Sequence, residues 1–369
     1  MQITSYIRTW PLGSTREQMA EHKYWKAQDV KGEYLTDLII SFARINMDDW
    51  SIYIPDVDLP DSHFKNFWDE YDAIKKRTPE LKMHLSVGGW DADGFSQMAS
   101  SKESRTIFIK NLMDIAIEKG FEGVDIDWEF PVLPSSTFEI GIKTSKDDGK
   151  NYFLLMSELH GKLAEYEKAT GKHIALSSAV PSLPWYTAQL DMKELAKYVD
   201  SIKLMSYDLY GPWNSQTGHH AGLYQNPANK DPDGWSIDQA VKLFEEAGMP
   251  REKIIVGAAF YGRAWKGVKD NGTHGLFQKY EESAYLDGIS WPDLQKFLQP
   301  GSGFTRYWDD AAKVPYLYNG DLFITYVDEK ALQELGRYAK ENNLGGVMIW
   351  EYGHNMDCTL LKALNESIK

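Results

Sequence analysis

The sequence has little cysteine, no long apolar run and a deficit of basic residues. Its one cysteine, Cys358, excludes an internal disulfide framework and a zinc site built on cysteines. No run approaches roughly 18 uninterrupted apolar residues, so the sequence predicts no membrane-spanning helix. Because 40 Lys and Arg face 54 Asp and Glu, the formal net charge is -14. A field of that sign repels nucleic acid and anionic lipid, and we expect neither nucleic acid nor a membrane as a partner.

Tryptophan and tyrosine are frequent in a chain whose composition is otherwise ordinary. Hydrophobic residues make up 43% and charged residues 25%, which is the balance of a folded globular protein and excludes a disordered one. The chain nevertheless contains 13 Trp and 21 Tyr. Core packing accounts for many of these rings. Trp and Tyr beside polar loops also suit a groove that stacks flat, partly apolar ligands such as sugar rings.

Short apolar runs rich in β-branched residues alternate with amphipathic stretches along the chain. The amphipathic stretches place apolar residues three and four positions apart, which predicts helices such as Arg105–Lys119 and Tyr152–Lys168. Alternating strands and helices are typical of a parallel sheet, and a count of eight favours an α/β fold of the closed (β/α)8 TIM-barrel type. The eight predicted strands are Ile3–Ile7, Leu35–Ala43, Lys82–Val87, Gly123–Trp128, Ile174–Val180, Ser201–Ser206, Ile254–Ala259 and Gly346–Trp350.

One interval between predicted strands is much longer than the others. The first residues of the last two strands, Ile254 and Gly346, are 92 positions apart. One helix and its loops leave roughly 50–60 of these residues surplus, which predicts a small α+β insertion after strand seven. We place the catalytic barrel at residues 1–261 and 324–369 and the insertion domain at 262–323. The insertion would lie at the carboxyl ends of the strands, where barrel active sites form.

The strongest local signal is the segment Gly123–Phe130, which reads Gly-Val-Asp-Ile-Asp-Trp-Glu-Phe. Side chains alternate faces along a strand, so Asp125, Asp127 and Glu129 point to the same side, about 6.5 Å apart. Mutual repulsion prevents all three from ionising together, so protons are shared and one carboxyl can stay protonated near neutral pH. A general acid needs a protonated carboxyl, and Glu129 is the member that faces a substrate.

Two other interpretations of this row of carboxyl groups compete with catalysis. The row could be a structural acidic ladder, or it could hold a divalent metal. A metal is disfavoured because no histidine falls at ligand spacing and no phosphate-binding glycine loop accompanies the segment. We therefore predict neither a metal nor a cofactor. We interpret His219 and His220 as part of a solvated loop.

The segment resembles the active-site strand of glycoside hydrolase family 18, the chitinases and their relatives. The family pattern is Asp-Gly-x-Asp-x-Asp-x-Glu, and the chain departs from it at Glu122, which precedes the ladder. The predicted insertion corresponds to the α+β insertion domain of bacterial-type members. Further segments resemble the family motifs of strands three, six, seven and eight, namely Leu85–Trp90, Met205–Gly211, Tyr261–Trp265 and Gly345–Glu351.

The resemblance implies a reaction and a role for each catalytic residue. The reaction is cleavage of β-1,4 bonds between N-acetylglucosamine units with retention, in which the substrate's acetamido oxygen attacks the anomeric carbon and forms an oxazolinium ion. Glu129 would protonate the leaving oxygen and later activate water. Asp127 would orient the acetamido N–H, and Asp125 would share a proton with Asp127. Tyr207 would donate a hydrogen bond to the acetamido group.

The resemblance also implies substrate-binding residues at the strand ends. Met205 and Asp208 would line the subsite of Tyr207. Trp350 would form a hydrophobic floor beneath the distorted sugar. Arg263 would donate hydrogen bonds to the substrate. Ordinary packing is the alternative for each tryptophan. The other expected contacts with sugar are Trp10, Trp90, Trp213, Tyr261 and Trp265.

Three functions stay open on this barrel. The first is a chitinase that hydrolyses chitin or chito-oligosaccharides. The second is a non-hydrolysing chitin-binding lectin, against which the presence of Glu129 argues. The third is a glycosidase of the same family acting on N-glycans or peptidoglycan. We expect a monomer that is secreted with its leader absent from this chain, and a cytoplasmic location stays open because no signal peptide is visible.

Overall fold

The computed structural model describes residues 1–132 and 142–369, and its strands form two sheets. In these two ranges the strands β1 to β14 are, in chain order, Gln2–Arg8, Asp37–Ile45, Ile52–Tyr53, Lys82–Gly88, Gly123–Asp127, Ala175–Pro181, Ser201–Met205, Ile254–Ala259, Tyr261–Lys266, Glu282–Ser290, Thr305–Asp309, Val314–Tyr318, Phe323–Thr325 and Gly346–Trp350.

The larger sheet is a closed barrel of eight parallel strands. Its order is β1-β14-β8-β7-β6-β5-β4-β2, and β1 also pairs with β2, which closes the ring. The short strand β3 adds to β2 in antiparallel register outside the ring. The predicted (β/α)8 barrel is therefore confirmed. Each of its eight strands overlaps the segment that the alternation of apolar runs and amphipathic stretches predicts.

Helices connect the strands and cover the outside of the barrel. The longest of the described helices runs over Asp148–Thr170, and none of them combines the length and apolar character needed to cross a bilayer. Within the described ranges the helices α1 to α12 are Arg16–Met19, Pro55–Asp58, Phe67–Arg77, Phe95–Ala99, Lys102–Lys119, Asp148–Thr170, Pro184–Thr187, Met192–Leu195, Ile237–Glu246, Trp291–Leu298, Glu329–Glu341 and Thr359–Ile368. Single 3-10 turns lie at Ala27–Asp29, Gly32–Tyr34, Arg251–Lys253 and Tyr352–Asn355.

The two faces of β5 have different environments. All five residues of this strand are buried, because side chains alternate between the barrel interior and the helical layer. On the helical side, Trp128 just beyond the strand stacks on Phe95 of α4 with ring centroids 5.2 Å apart. On the inner side, the parallel register sets Asp125 beside Ser86 of β4 and Ser177 of β6. The apolar outer face thus anchors a strand whose inner face is acidic.

The smaller sheet lies in the region where the sequence predicts an insertion. It is antiparallel, with the order β10-β9-β13-β12-β11, and the helix α10 follows β10 directly. Its interior contains Trp265, Tyr316 and Phe323 together with Tyr210 from the loop after β7. The sheet begins at Tyr261, two residues after β8 ends, so it stands directly at the carboxyl end of a barrel strand. Its status as a separate domain with boundaries at 262 and 323 stays a prediction.

We expect Gly88→Ala to lower the free energy of unfolding by about 3 kcal/mol, because the substitution crowds the backbone of β5. Gly88 has a φ of +124°, and a Cβ there would lie 2.0 Å from the carbonyl oxygen of Asp127. Urea unfolding followed by circular dichroism measures the loss. Gly171→Ala is the matched control, since its φ is +72° but nothing lies within 4 Å of the added Cβ. This control should cost only about 1 kcal/mol, and an equal loss in both variants would contradict the close approach of β4 and β5.

Candidate active site

The three acidic residues of the predicted ladder lie in a row at the carboxyl end of β5. The strand ends at Asp127, and Glu129 lies two residues beyond it. Asp125 is fully buried and Asp127 is 4% exposed, whereas Glu129 is only partly buried. Exposure therefore increases along the row toward the open end of the barrel.

Three hydroxyl groups from three barrel strands donate hydrogen bonds to Asp125. The Tyr6 hydroxyl donates to Asp125 Oδ2 over 2.8 Å, and Ser86 Oγ donates to the same oxygen over 2.7 Å. Ser177 Oγ donates to Asp125 Oδ1 over 2.6 Å. Hydrogen bonds donated to both carboxylate oxygens favour the ionised form. The innermost member of the row therefore has a hydrogen-bond donor on each of its two carboxyl oxygens.

Neither Tyr6 nor Ser177 was expected at this site from the sequence. Both are buried polar residues, and both side chains reach Asp125 inside the barrel. A polar residue on the inner face of a barrel strand is the signal that identifies them. Ser86 lies in the segment Leu85–Trp90, and its hydroxyl is the third donor to Asp125.

Asp127 has the opposite environment from Asp125. Its Oδ1 atom is buried and has no hydrogen-bond partner in the part of the chain that the structure describes. Burial, followed by the charges of Glu129 and Asp125, raises the pKa of Asp127 well above its usual value. This carboxyl group therefore holds a proton, while its unpaired oxygen is available to accept a hydrogen bond from a ligand.

Glu129 is held protonated at neutral pH. Burial, followed by the charge of Asp208, raises the pKa of Glu129 to about 8, and Arg44 of β2 opposes the shift. Arg44 itself lies 3.2 Å from Asp91, so its charge is shared. A carboxyl group with a pKa in this range can donate a proton near neutral pH and accept one afterwards.

Tyr207 and Met205 lie at the carboxyl end of β7. They belong to one cluster with Tyr6 and Trp350 on the inside of the barrel. The Tyr207 ring meets the Tyr261 ring edge-on with centroids 6.2 Å apart. Burial raises the pKa of Tyr207 well above its usual value, so the hydroxyl keeps its proton and can act as a hydrogen-bond donor.

Asp208 and Arg263 form a bidentate ion pair. Arg263 Nε lies 2.5 Å from Asp208 Oδ1, and Nη2 lies 2.6 Å from Oδ2. Burial opposes ionisation of Asp208, but the interactions with His220 and Arg263 outweigh it and hold the pKa of Asp208 well below its usual value. Arg263 belongs to β9, so the pair joins the loop after β7 to the second sheet. Asp208 thereby supplies a fixed negative charge beside Glu129.

The structure contradicts the interpretation of His219 and His220 as a solvated loop pair. His219 is 4% exposed, and its Nε2 lies 3.1 Å from Asp309 Oδ2 in the second sheet. His220 is fully buried, and its Nδ1 lies 3.6 Å from Asp208 Oδ1. The chain separation between His219 and Asp309 explains why no local pattern reveals this contact. Over the described residues, no group of three or more His, Cys, Asp or Glu side chains is arranged to hold a metal ion.

An aromatic cluster lines the inside of the barrel at its open end. The Trp350 ring lies 5.6 Å from the Phe42 ring at 19°, and 5.7 Å from the Tyr6 ring. Trp10 completes the cluster, with its centroid 6.1 Å from that of Phe42 and 6.3 Å from that of Trp350. The structure therefore brings Trp10 and Trp350 together, and both rings are only partly buried.

The remaining expected contact residues fall into two groups. Trp90 and Trp213 are 51% and 55% exposed, and the Arg263 guanidinium lies 5.5 Å from the Trp213 ring centroid. Tyr261 is 6% exposed and Trp265 is 1% exposed. Tyr261 still borders the site through its contact with Tyr207, but Trp265 packs inside the second sheet and presents no open ring face. Its position gives no support to an expected contact with sugar.

A protonated carboxyl group and aromatic rings at the open end of a closed (β/α)8 barrel suit a glycoside hydrolase. The model of Glycosyl hydrolases family 18 matches residues 3–355, and the chain belongs to that family. The resemblance expected from the five motifs is thereby confirmed.

Named relatives and solved structures agree with this assignment. Chitinase A1 of Niallia circulans is 32% identical over 312 residues, which cover 81% of this chain and 44% of that protein. The probable endochitinase of Caenorhabditis elegans is 32% identical and covers 94% of this chain and 56% of that protein. A solved family 18 N-acetylglucosaminidase from Paenibacillus barengoltzii is 33% identical, with a TM-score of 0.83 and coverage of 99% of both chains. The chain thus spans about half the length of the two curated relatives.

We expect Glu129→Gln to be more stable than the wild type at pH 8, and the difference to shrink as the pH falls toward 4.5. The pKa of Glu129 is raised in the folded state, so the folded protein binds more protons than the unfolded chain in this window. Its stability therefore falls as the pH rises through the window, whereas an amide contributes no such dependence. Urea unfolding at a series of pH values measures the difference.

The control for this measurement is Glu80→Gln, at an exposed position in the turn before β4. It should show no comparable gain in stability at alkaline pH. Equal pH dependence in the two variants would contradict a buried, protonated Glu129.

Proposed function

We propose that this protein hydrolyses β-1,4-N-acetylglucosaminide bonds in chitin or chito-oligosaccharides with retention. The observation that carries the proposal is the contrast between two neighbouring carboxyl groups. Glu129 holds a proton at the exposed end of the row, and Asp127 keeps a buried oxygen without a partner. A proton donor beside an unpaired acceptor suits a substrate that offers a glycosidic oxygen and an amide N–H.

In the proposed first step, Glu129 protonates the glycosidic oxygen while the acetamido carbonyl oxygen attacks the anomeric carbon. The C–O bond to the leaving sugar breaks, and an oxazolinium ion forms on the substrate. Asp127 Oδ1 accepts the acetamido N–H and keeps the group in line for attack. In the second step, Glu129 takes a proton from water as the water opens the oxazolinium ring. The nucleophile belongs to the substrate, so the protein contributes position and charge.

The surrounding residues support this chemistry by fixing the acetamido group and the sugar. The Tyr207 hydroxyl keeps its proton and donates to the acetamido oxygen. Asp208 acts through its charge, which raises the pKa of Glu129, and Arg263 holds Asp208 in place. Trp350 offers a partly buried ring beneath the reacting sugar, on which an apolar sugar face can stack.

The exposed tryptophans support binding beyond the reacting sugar. Trp90 follows β4, and Trp213 lies in the loop after β7, so both rings stand at the same end of the barrel as Glu129. Two exposed indole rings suit a linear sugar chain, whose successive rings each present an apolar face. We include Trp10 and Met205 in the inner part of this binding surface, and Tyr261 at its border with the second sheet.

We expect Glu129→Gln to lower kcat on a chito-oligosaccharide by roughly 10²–10⁴-fold, because the amide cannot donate the proton. Binding should persist, since the variant retains the shape and the aromatic contacts of the site. Chromatography of released products measures turnover, and calorimetry measures binding. Glu122→Gln is the matched control, because Glu122 bonds to Lys75 and to the backbone of Met83 outside the row. Similar activity in Glu129→Gln and in the wild type would refute the proposed acid.

A comparison of substrates separates this proposal from the alternatives. The wild type is supplied with chito-oligosaccharides, a high-mannose glycopeptide and bacterial cell wall, and the products of each are analysed. Release of sugars from the first supports the proposal, and exclusive action on either of the others replaces it with a related glycosidase. Binding without any release, in a folded wild type, would indicate a lectin.

The same experiment also determines the size of the released product, for which one relative suggests a monosaccharide. The N-acetylglucosaminidase from Paenibacillus barengoltzii is similar to this chain over the full length of both. Release of monosaccharide alone from a long oligosaccharide would indicate action at chain ends, whereas a mixture of sizes would indicate internal cleavage. A proton NMR spectrum taken during the first turnovers gives the anomer, and retention requires the β-anomer to appear first.

Two further expectations complete the proposal. Chitin is an extracellular polymer, and this supports secretion of the protein. The row of carboxyl groups, the aromatic cluster and the Asp208–Arg263 pair all come from one chain, and this supports a functional monomer. Fractionation of a producing cell and sedimentation of the purified protein test these expectations.

A further inference from the structure

A lysine lies buried in the barrel beneath the acidic row. Lys203 is the third residue of β7 and is 1% exposed. Its Nζ donates a hydrogen bond to Ser201 Oγ over 3.0 Å. One neutral partner does not compensate an ammonium group that has been taken out of water, so carboxylates must supply the balance. The mechanism described above does not use this residue.

The strand register places Lys203 near Asp125, because its partner Ser201 pairs with Ser177, whose hydroxyl donates to Asp125. A second buried carboxylate, Asp37, also interacts with Lys203. Asp125 belongs to the acidic row, and Asp37 begins β2 and is 2% exposed. Asp37 is itself held ionised, since Oδ1 lies 3.0 Å from His84 Nε2 and Oδ2 accepts from Thr36 Oγ1 over 2.5 Å. Burial lowers the pKa of Lys203, and the charges of Asp125 and then Asp37 oppose that shift.

The remaining barrel strands bring few other charges to this level. Asp200, in the turn before β7, is a further acidic residue that opposes the lowering of the Lys203 pKa by burial. Asp127 and the Tyr6 hydroxyl face Asp125 from β5 and β1, and Tyr152 faces it from α6. The strands β6, β8 and β14 carry no titratable side chain. Arg44 of β2 opposes the rise that burial causes in the pKa of Asp127, the other member of the pair, whereas Lys203 is a cation buried within β7.

We propose that Lys203 is a positioning residue whose buried ammonium group keeps Asp125 ionised and so leaves the proton of the Asp125–Asp127 pair on Asp127. The proposal rests on the proposed function and extends it to a residue that touches neither substrate nor the reacting atoms. Three hydroxyl donors already favour a charged Asp125, and the ammonium group adds the opposite charge that they lack.

The location of that proton matters for the acid. When Glu129 gives its proton to the leaving oxygen, it becomes a carboxylate in a partly buried site. A neutral Asp127 can then donate a hydrogen bond toward it, whereas an ionised Asp127 would repel it. Lys203 therefore acts on the reaction through two intermediate carboxyl groups, and it should affect the pH dependence more than substrate binding.

The test is the pH profile of kcat for Lys203→Met on a chito-oligosaccharide. Removal of a nearby positive charge raises the pKa of the Asp125–Asp127 pair, so the acidic limb should move to higher pH by about one unit, with KM little changed. Lys203→Arg, if folded, should restore the wild-type limb because it restores the charge. An acidic limb that stays in place in folded Lys203→Met would overturn the proposal.

The matched control is Lys253→Met. Lys253 is a partly buried lysine whose Nζ bonds to the carbonyl oxygens of Ala196 and Val199, both over 2.7 Å, on the outside of the barrel. Its replacement should lower the thermal midpoint without moving the acidic limb. A shift of the limb in both variants would show that lost stability, rather than the lost charge, changes the profile, and would overturn the proposal.

A measurement on the wild type covers the case in which the variants do not fold. In protein labelled with ¹³C at lysine Cε, the resonance of the buried Lys203 should shift as the pH falls into the acidic range, where the Asp125–Asp127 pair takes up its second proton. A resonance that stays flat through this range would overturn the proposal. The measurement needs no turnover, so absence of hydrolysis would refute the proposed function while this titration still decides the role of Lys203.

Discussion

The site depends on the cost of removing two carboxyl groups, those of Asp125 and Asp127, from water on a single strand. A barrel interior offers no solvent to Asp125 and Asp127, so the protein must either supply partners or leave a proton in place. It does the first at Asp125, where three hydroxyl groups bind, and the second at Asp127, which keeps an unpaired oxygen. The same strand therefore carries two carboxyl groups of identical chemistry, and the difference in their hydrogen bonding comes entirely from their neighbours.

A second constraint joins the two sheets at the edge of the site. Asp208 lies in the loop after β7 and binds Arg263 of β9 in bidentate geometry, while His219 in the same loop contacts Asp309 of β11. Both contacts bury a charged carboxylate. A buried charge is tolerated only when its partner is held at a fixed distance and orientation. The loop after β7 is thereby fixed to the second sheet, and the charge that raises the pKa of Glu129 is fixed with it.

The sequence was sufficient for the elements whose signal is local. Alternation of apolar runs and amphipathic stretches locates all eight barrel strands, and side-chain alternation within Gly123–Phe130 predicts a row of acids on one face. Contacts between distant segments were not predictable in this way. Tyr6 and Asp125 are 119 positions apart in the sequence, and His219 and Asp309 are 90 apart. Neither contact produces a periodic pattern in the sequence from which it could be predicted. The sequence left open whether Trp265 packs or contacts sugar, because its partners lie on strands that only the fold brings together.

The packing of Tyr210 has a consequence for how such a protein can change over time. This ring comes from the barrel loop, is 1% exposed, and lies among the side chains of the smaller sheet, with its hydroxyl accepting from Asn229 Nδ2 over 2.7 Å. A recombination event that exchanged the smaller sheet alone would leave this ring facing an unmatched surface. The unit that can be exchanged by recombination is therefore larger than the smaller sheet. An exchange that preserves folding must include the loop after β7 together with the sheet.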